Sequence, residues 1–320
     1  IVNTIIALQC LGYEESHPVI QGQLRELEKL EIDRDGVLRV QPCKSPSWDT
    51  ALSVNALAEH RDAAANGRLE KAVEWLLEHE VQDPGDWREK NPEGPIGGWY
   101  FEYNNEFYPD VDDTAQIVTA ISKVQFDDAD LRRRWDEAAR RAIDWTLTMQ
   151  NRDGGWASFD KGCDKEFLTY IPFADHNAMI DPSTTDITAR VVEALVRVGH
   201  DRSSPAIRAG IDFLLKEQEP DGSWYGRWGC NYLYGSFLAM GALALAGTGK
   251  AEREAIQRGA RWIRSVQNPD GGWGESPESY ADPARKGIGA STPSQTAWAL
   301  LGLLSVSYTH LTLPTTCTPC

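Results

Sequence analysis

Three carboxylates fall within four residues at Asp110-Val111-Asp112-Asp113, with Thr114 and Ala115 following. Like charges at that spacing cannot all ionise cheaply once removed from water, so one of them keeps its proton near neutral pH. A carboxylic acid held protonated in an apolar place is a general acid. The lead-in is aromatic: Gly97-Gly98-Trp99-Tyr100-Phe101-Glu102-Tyr103-Asn104-Asn105-Glu106-Phe107-Tyr108-Pro109. An acid beside π-faces suits protonation of an alkene, because rings stabilise a carbocation without bonding to it. The same acids also read as a plain helix start, an N-cap followed by negative charge in the first turn. The spacing by itself leaves both readings open. A second polar pair, Asp186 and Arg190, stands four residues apart. That is the spacing of a surface ion pair worth roughly a few tenths of a kcal/mol.

The elements that must position these residues show themselves as repeats. Arg141-Ala142-Ile143-Asp144-Trp145 leads to Gln150-Asn151-Arg152-Asp153-Gly154-Gly155-Trp156. Arg208-Ala209-Gly210-Ile211-Asp212-Phe213 leads in the same way to Gln218-Glu219-Pro220-Asp221-Gly222-Ser223-Trp224, and Arg258-Gly259-Ala260-Arg261-Trp262 to Gln267-Asn268-Pro269-Asp270-Gly271-Gly272-Trp273. A weaker copy begins at Lys71-Ala72-Val73-Glu74-Trp75 and has Glu80 where Gln would stand. Each copy reads as a helix, an Asp-Gly turn in which Gly supplies the left-handed backbone, and a Trp. The Gln amide is expected to bond the start of the next helix and the Trp to stack on it, a mechanical role. Between the copies lie apolar helices at Asp49–Leu57, Asp113–Ile121, Ile187–Leu195 and from Gln295. Being apolar on most faces, they suit an inner layer, while partners such as Leu131-Arg132-Arg133-Arg134-Trp135 suit an outer one. Inner and outer helices alternating at intervals of roughly 50–75 residues describe an all-α fold, a closed (α/α) toroid, with an open solenoid as the alternative.

Composition narrows the function classes. The 320 residues make one large domain or two at roughly 150 residues each, and 41% hydrophobic residues supply a core. A net charge of −16 disfavours phosphate-backbone binding as the main task. Twelve Trp point to aromatic walls or repeated packing units. Cys10, Cys43, Cys163 and Cys230 lack metal-ligand spacing and fit a reduced, cytosolic setting. Cys317-Thr318-Pro319-Cys320 matches C-x-x-C but falls in a tail from about Ser305 that resembles a translated sequencing adaptor and is set aside. The opening Ile1-Val2-Asn3-Thr4-Ile5-Ile6 has no signal-peptide features and reads as a start in mid-helix. Gly229–Gly249 carries no charge, yet its Asn231, Tyr232, Tyr234, Ser236 and repeated Gly argue for a buried helix rather than a membrane span.

With these residues assembled, the chain resembles the squalene–hopene cyclases of the triterpene cyclase family over about residues 1–304. Asp110-Val111-Asp112-Asp113-Thr114-Ala115 and the Gln…Gly-x-Trp repeats carry the resemblance. The acid motif would also fit class II diterpene cyclases; the several repeats and Ser45-Pro46-Ser47-Trp48-Asp49-Thr50 favour the squalene enzyme. Oxidosqualene cyclases place a Cys where Val111 stands.

The resemblance implies that Asp112 is the proton donor, flanked by Asp110 and Asp113. It implies that Arg190, where the family's best-known form has His, bonds the acid cluster. A cation that stays charged strengthens a neighbouring acid. Unlike His, Arg190 does not titrate, which bears on how the acid is recharged. Asp49 and Asp186 match acidic positions linked to reprotonation through water, and Tyr234 a Tyr near the acid. Trp48, Phe101 and Trp228 match aromatic wall positions, Phe159 stands where the family's pattern has Tyr, and Phe173 falls beside the substrate access constriction.

The implied function is protonation of a terminal alkene of squalene and guided polycyclisation to hopene or hopanol. Neither metal nor cofactor is expected, since protonation starts the cation. Residues 1–31 are read as the end of a second, inserted α-barrel domain, 32–304 as the acid-bearing toroid domain and 305–320 as a non-native tail. The rest of the second domain, its membrane-docking plateau and a Phe-rich C-terminal segment are not in this stretch, so the chain alone is expected to be inactive or poorly folded. The parent is expected at the cytoplasmic face of a bacterial-type cell membrane, attached monotopically, with squalene as partner and no nucleic acid. A homodimer is left open. The other readings are a diterpene-type cyclase, which would bring Mg²⁺ and a diphosphate, and a non-catalytic toroid that binds proteins.

Overall fold

A computed structural model of the chain describes residues 1–41, 43–60, 63–103, 105–171, 179–247 and 249–308. The chain divides into two compact units. The first covers Ile1–Pro46 and a short stretch after Phe101. It holds α1 (Val2–Cys10), α2 (Pro18–Glu28) and a hairpin of β1 (Glu31–Arg34) and β2 (Val37–Val40). The strands pair antiparallel, with Arg34 opposite Val37. Asp35 and Gly36 both take positive φ, 55° and 76°, the conformation of a two-residue hairpin turn. The all-helical expectation omitted this ribbon, although its Asp-Gly signal stands in the sequence.

The second unit, from Ser47 onward, is helical. Its elements are α3 (Pro46–Glu59), α4 (Ala63–Glu78), α5 (Val111–Ile121), α6 (Ala129–Thr148), α7 (Thr185–Arg197), α8 (Pro205–Lys216), α9 (Tyr232–Ala246), α10 (Lys250–Ser265) and α11 (Pro293–Tyr308). Every residue of α5 is buried. Helix α6 instead buries a stripe of Leu131, Trp135, Ala138, Ala142, Ile143 and Trp145. On its other side Arg132–Asp136 and Arg133–Glu137 pair at i,i+4. The inner layer runs α5, α7, α9, α11, each packed on the next, while α8 lies over α7 and α9, and α10 over α9 and α11. This is the two-layer alternation of an α/α toroid. The charge-free stretch forms α9, a buried helix, and no helix among the described residues is long and apolar enough to cross a membrane. Helix α11 continues past Leu304 to Tyr308, with Ser305 buried and its hydroxyl donating to the Leu301 carbonyl. Nothing between Leu304 and Tyr308 is a helix breaker, so the turn propagates beyond the expected end.

The repeats are joints. Trp156, Trp224 and Trp273 donate their indole N–H to carbonyls of the helices before them, Thr146, Leu214 and Ile263, at 2.7–2.8 Å. Their backbone N–H groups donate to hydroxyls of the next inner helices: Thr188, Ser236 and Thr296, each at 3.0 Å. Trp99 makes the same pair of bonds, to the Leu76 carbonyl and the Thr114 hydroxyl. The Gln150 and Gln218 amides donate to the Ala206 and Ala255 carbonyls of the following outer helices. In the weak copy Glu80 receives both Nε and Nη2 of Arg141 from α6, so a two-pronged charge contact replaces the amide.

The Trp rings rest on glycines. A Cβ on Gly210 would lie 3.1 Å from the Trp156 ring and 2.8 Å from Val192 Cγ2. Helix propensity alone would favour a side chain there, but overpacking wins because both neighbours belong to other packed elements. Gly210→Val is therefore expected to destabilise the fold by about 1–3 kcal/mol in denaturant unfolding. An unchanged midpoint would refute this account of the joint.

Candidate active site

Local sequence explains how the acids are presented. Asp110 has extended backbone and caps α5, its Oδ1 accepting from the N–H groups of Asp112 at 2.6 Å and Asp113 at 3.2 Å. The plain helix-start reading is thus correct for Asp110. The cap is itself pinned, because Asp110 N–H donates to the Trp99 carbonyl and Val111 N–H to that of Ser158. Asp112 and Asp113 follow in the first turn, where the helix dipole favours negative charge. Burial works the other way. It raises the carboxyls of Asp110 and Asp113 well above the ordinary range, and the neighbouring carboxylates raise them further. Asp112 is also raised, by burial first, opposed by the charge of Arg190 and reinforced by Asp186.

Arg190 reaches the acid from α7. Its Nε lies 2.5 Å from Asp112 Oδ1, and both side chains are nearly enclosed. The contact is one of charge, since neither atom has an aligned hydrogen-bond partner. Nη1 donates to Gln116 Oε1 and Nη2 to the Tyr234 hydroxyl, each at 2.5 Å. The guanidinium also lies over the Trp48 ring, 4.9 Å from its centre. Helices α3, α5 and α9 therefore converge on one cation from α7. Its own burial favours losing the proton, but Asp112, Tyr234 and Asp186 outweigh this and hold it charged. Tyr234, braced edge-on by Trp298, has its phenol pushed up by burial and stays neutral.

Asp186 and Arg190 do not form the surface pair that their spacing suggested, because α7 is an inner helix and buries both. Asp186 is fully buried, and its Oδ2 accepts from the N–H groups of Arg227 at 2.9 Å and Trp228 at 2.8 Å. It holds the backbone that carries Trp228. Asp181, not singled out in the sequence, does the same for Ser158, Phe159 and Asp160. The two loops bring rings together: Phe159 stacks on Tyr108 at 5.3 Å and meets Trp228 edge-on at 5.8 Å. Phe101 is half-buried, and Asp49 is exposed beside an open cleft of about 220 Å³ that also touches Ser53 and Arg68. Phe173 and the Cys317–Cys320 pair lie outside the described residues.

Gln116 is the residue that sequence reasoning missed. Its signal was the i,i+4 spacing from Asp112, which puts both on one face of α5. Tyr108 was present in the aromatic lead-in without being singled out.

Known proteins resemble this chain in sequence and in fold. A squalene–hopene cyclase from Zymomonas mobilis is 43% identical over 96% of this chain and 47% of its own length. One from Bradyrhizobium diazoefficiens is 40% identical over 95% of the chain and 46% of its own. The chain thus spans about half the length of the relatives it matches. A type II terpene cyclase from Scytonema, solved with merosterolic acid A, has the same fold: TM-score 0.53 at 20% identity, covering 82% of this chain and 67% of that one. The family described as the squalene-hopene cyclase C-terminal domain matches residues 44–312. From its capped acid helix to its tryptophan joints, the chain belongs to the squalene–hopene cyclase family.

Proposed function

We propose that this chain is the acid-bearing part of a squalene–hopene cyclase, in which Asp112 protonates a terminal double bond of squalene. One observation carries the reading: a buried carboxyl, inclined to keep its proton, faces a single permanent cation. As the Asp112 O–H bond breaks, the alkene π pair forms the new C–H bond and leaves a tertiary carbocation. The carboxylate left behind is paired with Arg190, which makes the proton easier to give up. The remaining double bonds close rings in turn, and the last cation loses a proton to give hopene or takes water, which then releases a proton, to give hopanol. Trp48, Phe101, Phe159 and Trp228 supply ring faces to the moving charge.

Asp49, exposed, is the solvent-side acid for reloading. Asp186, with one oxygen taken by two backbone N–H groups, acts by positioning. Residues 1–31 belong in this reading to a second helical domain, and 32–304 to the acid-bearing domain. Because squalene partitions into bilayers, the reading includes peripheral attachment to the cytoplasmic face of the cell membrane.

The test is to give the full-length protein carrying this chain squalene and a diterpenyl diphosphate in parallel, with and without chelator. Squalene should yield hopene and hopanol, unaffected by chelator. Turnover of the diphosphate alone, stopped by chelator, would overturn the proposal.

A further inference from the structure

We propose that Tyr280 is a positioning residue for Trp228, fixing where that ring meets the moving cation and so how far cyclisation runs; this rests on the reading of Trp228 as part of the aromatic wall. Trp228 stands on the loop between α8 and α9, and the peptide unit that leads into it is bonded at both ends. Its N–H, from Trp228, donates to Asp186 Oδ2 at 2.8 Å. Its C=O, from Arg227, accepts from the Tyr280 hydroxyl at 3.1 Å. A trans peptide is a rigid plane with these two groups on opposite edges, so the pair of bonds fixes its tilt as one bond cannot. That tilt sets the direction in which the Trp228 side chain leaves the backbone.

Tyr280 reaches this loop from another repeat. It ends a short helical turn, Pro277–Tyr280, in the segment between α10 and α11, and the Ser276 side chain caps that turn. The Tyr280 ring meets Tyr225 edge-on at 5.9 Å, on the same loop as Trp228. The Trp228 ring in turn meets Phe159 edge-on at 5.8 Å and has the Arg227 guanidinium 5.6 Å from its centre. Arg227 is itself tied down, its Nη2 donating to the Ile180 carbonyl at 2.9 Å. Three elements thus agree on one orientation of the ring: α7 through Asp186, the turn through Tyr280, and Phe159 by contact.

Tyr280 is 38% exposed, so in its absence water can satisfy the Arg227 carbonyl at little cost to the fold. Water does not hold the peptide plane, however. Attraction between a cation and a ring face is confined to about 6 Å, so a tilted Trp228 leaves one stage of cyclisation less supported. The carbocation then passes a proton to water and leaves as an incompletely cyclised alkene.

The test is Tyr280→Phe in the full-length protein, which removes the hydroxyl and keeps the ring. The share of squalene leaving as incompletely cyclised products should rise about fivefold, the scale of one lost hydrogen bond. In a Trp228→Leu background the same substitution should change the product distribution no further, because its effect passes through Trp228. Fluorine NMR of protein grown on fluorinated tryptophan reads the ring directly, the Trp228 resonance being identified by its loss in Trp228→Phe. That resonance should move in Tyr280→Phe. A resonance that stays in place overturns the inference, even if thermal stability falls. So does an active enzyme whose product distribution is unaltered, or a double variant in which the two effects simply add. If the wild-type protein turns over no squalene, the proposed function fails, and the fluorine resonance still decides the role of Tyr280.

Discussion

Asp112→Asn in the full-length protein should abolish squalene cyclisation, by roughly 10⁴-fold or more, while leaving the fold in place. General acids typically contribute about 10²–10⁴ in rate, and here the acid is also the sole source of the initiating proton. An amide of the same shape cannot supply it. The substitution is structurally mild. Asp112 Oδ1 has no aligned hydrogen bond to lose, and Arg190 keeps Gln116, Tyr234 and the Trp48 face. Product analysis by gas chromatography with a parallel thermal melt checks both halves. A variant that melts normally and still forms hopene would remove Asp112 from the mechanism.

Arg190→Met should cost about 3–5 kcal/mol of stability at neutral pH, the scale for removing one member of a buried pair. The loss has two parts. Gln116 Oε1 and the Tyr234 hydroxyl lose their donor at every pH. Asp112 loses the charge that lowers its pKa, leaving burial and Asp186, which both raise it.

With the folded pKa raised above its unfolded value, the folded state binds the extra proton between the two. Stability then falls as pH rises through that window. The deficit should be smaller at pH 5 than at pH 8 in urea unfolding. Equal deficits would mean that Arg190 does not compensate Asp112. Turnover should also fall by about 10²-fold, since the acid left behind is weaker.

The layered fold was legible because its period is written in the residues that make the joints: Gln, Asp-Gly and Trp recur at three of them, and Glu80 with Trp99 serves at a fourth. Asp110 could be read two ways, and its extended backbone decided for the cap. Asp186 and Arg190 looked like a surface pair because spacing reports a helix face, not what covers it. Once α7 is an inner helix the two find separate partners. Gln116 was hidden for a related reason. An amide among apolar residues gains meaning only when another helix delivers a cation to it. The ribbon at residues 31–40 is marked only by Asp35-Gly36 at its turn, because four-residue strands that are almost wholly exposed carry no alternating apolar pattern.

The hydroxyl clasps of Thr114, Thr188, Ser236 and Thr296 have a consequence for how such a chain tolerates change. Each fixes the height of its helix against the preceding tryptophan, independently of how much polypeptide is paid out between fasteners. Surface segments spliced between two clasps are therefore absorbed at the periphery. The bearing of Asp112, two residues from one such fastener, is carried through unchanged.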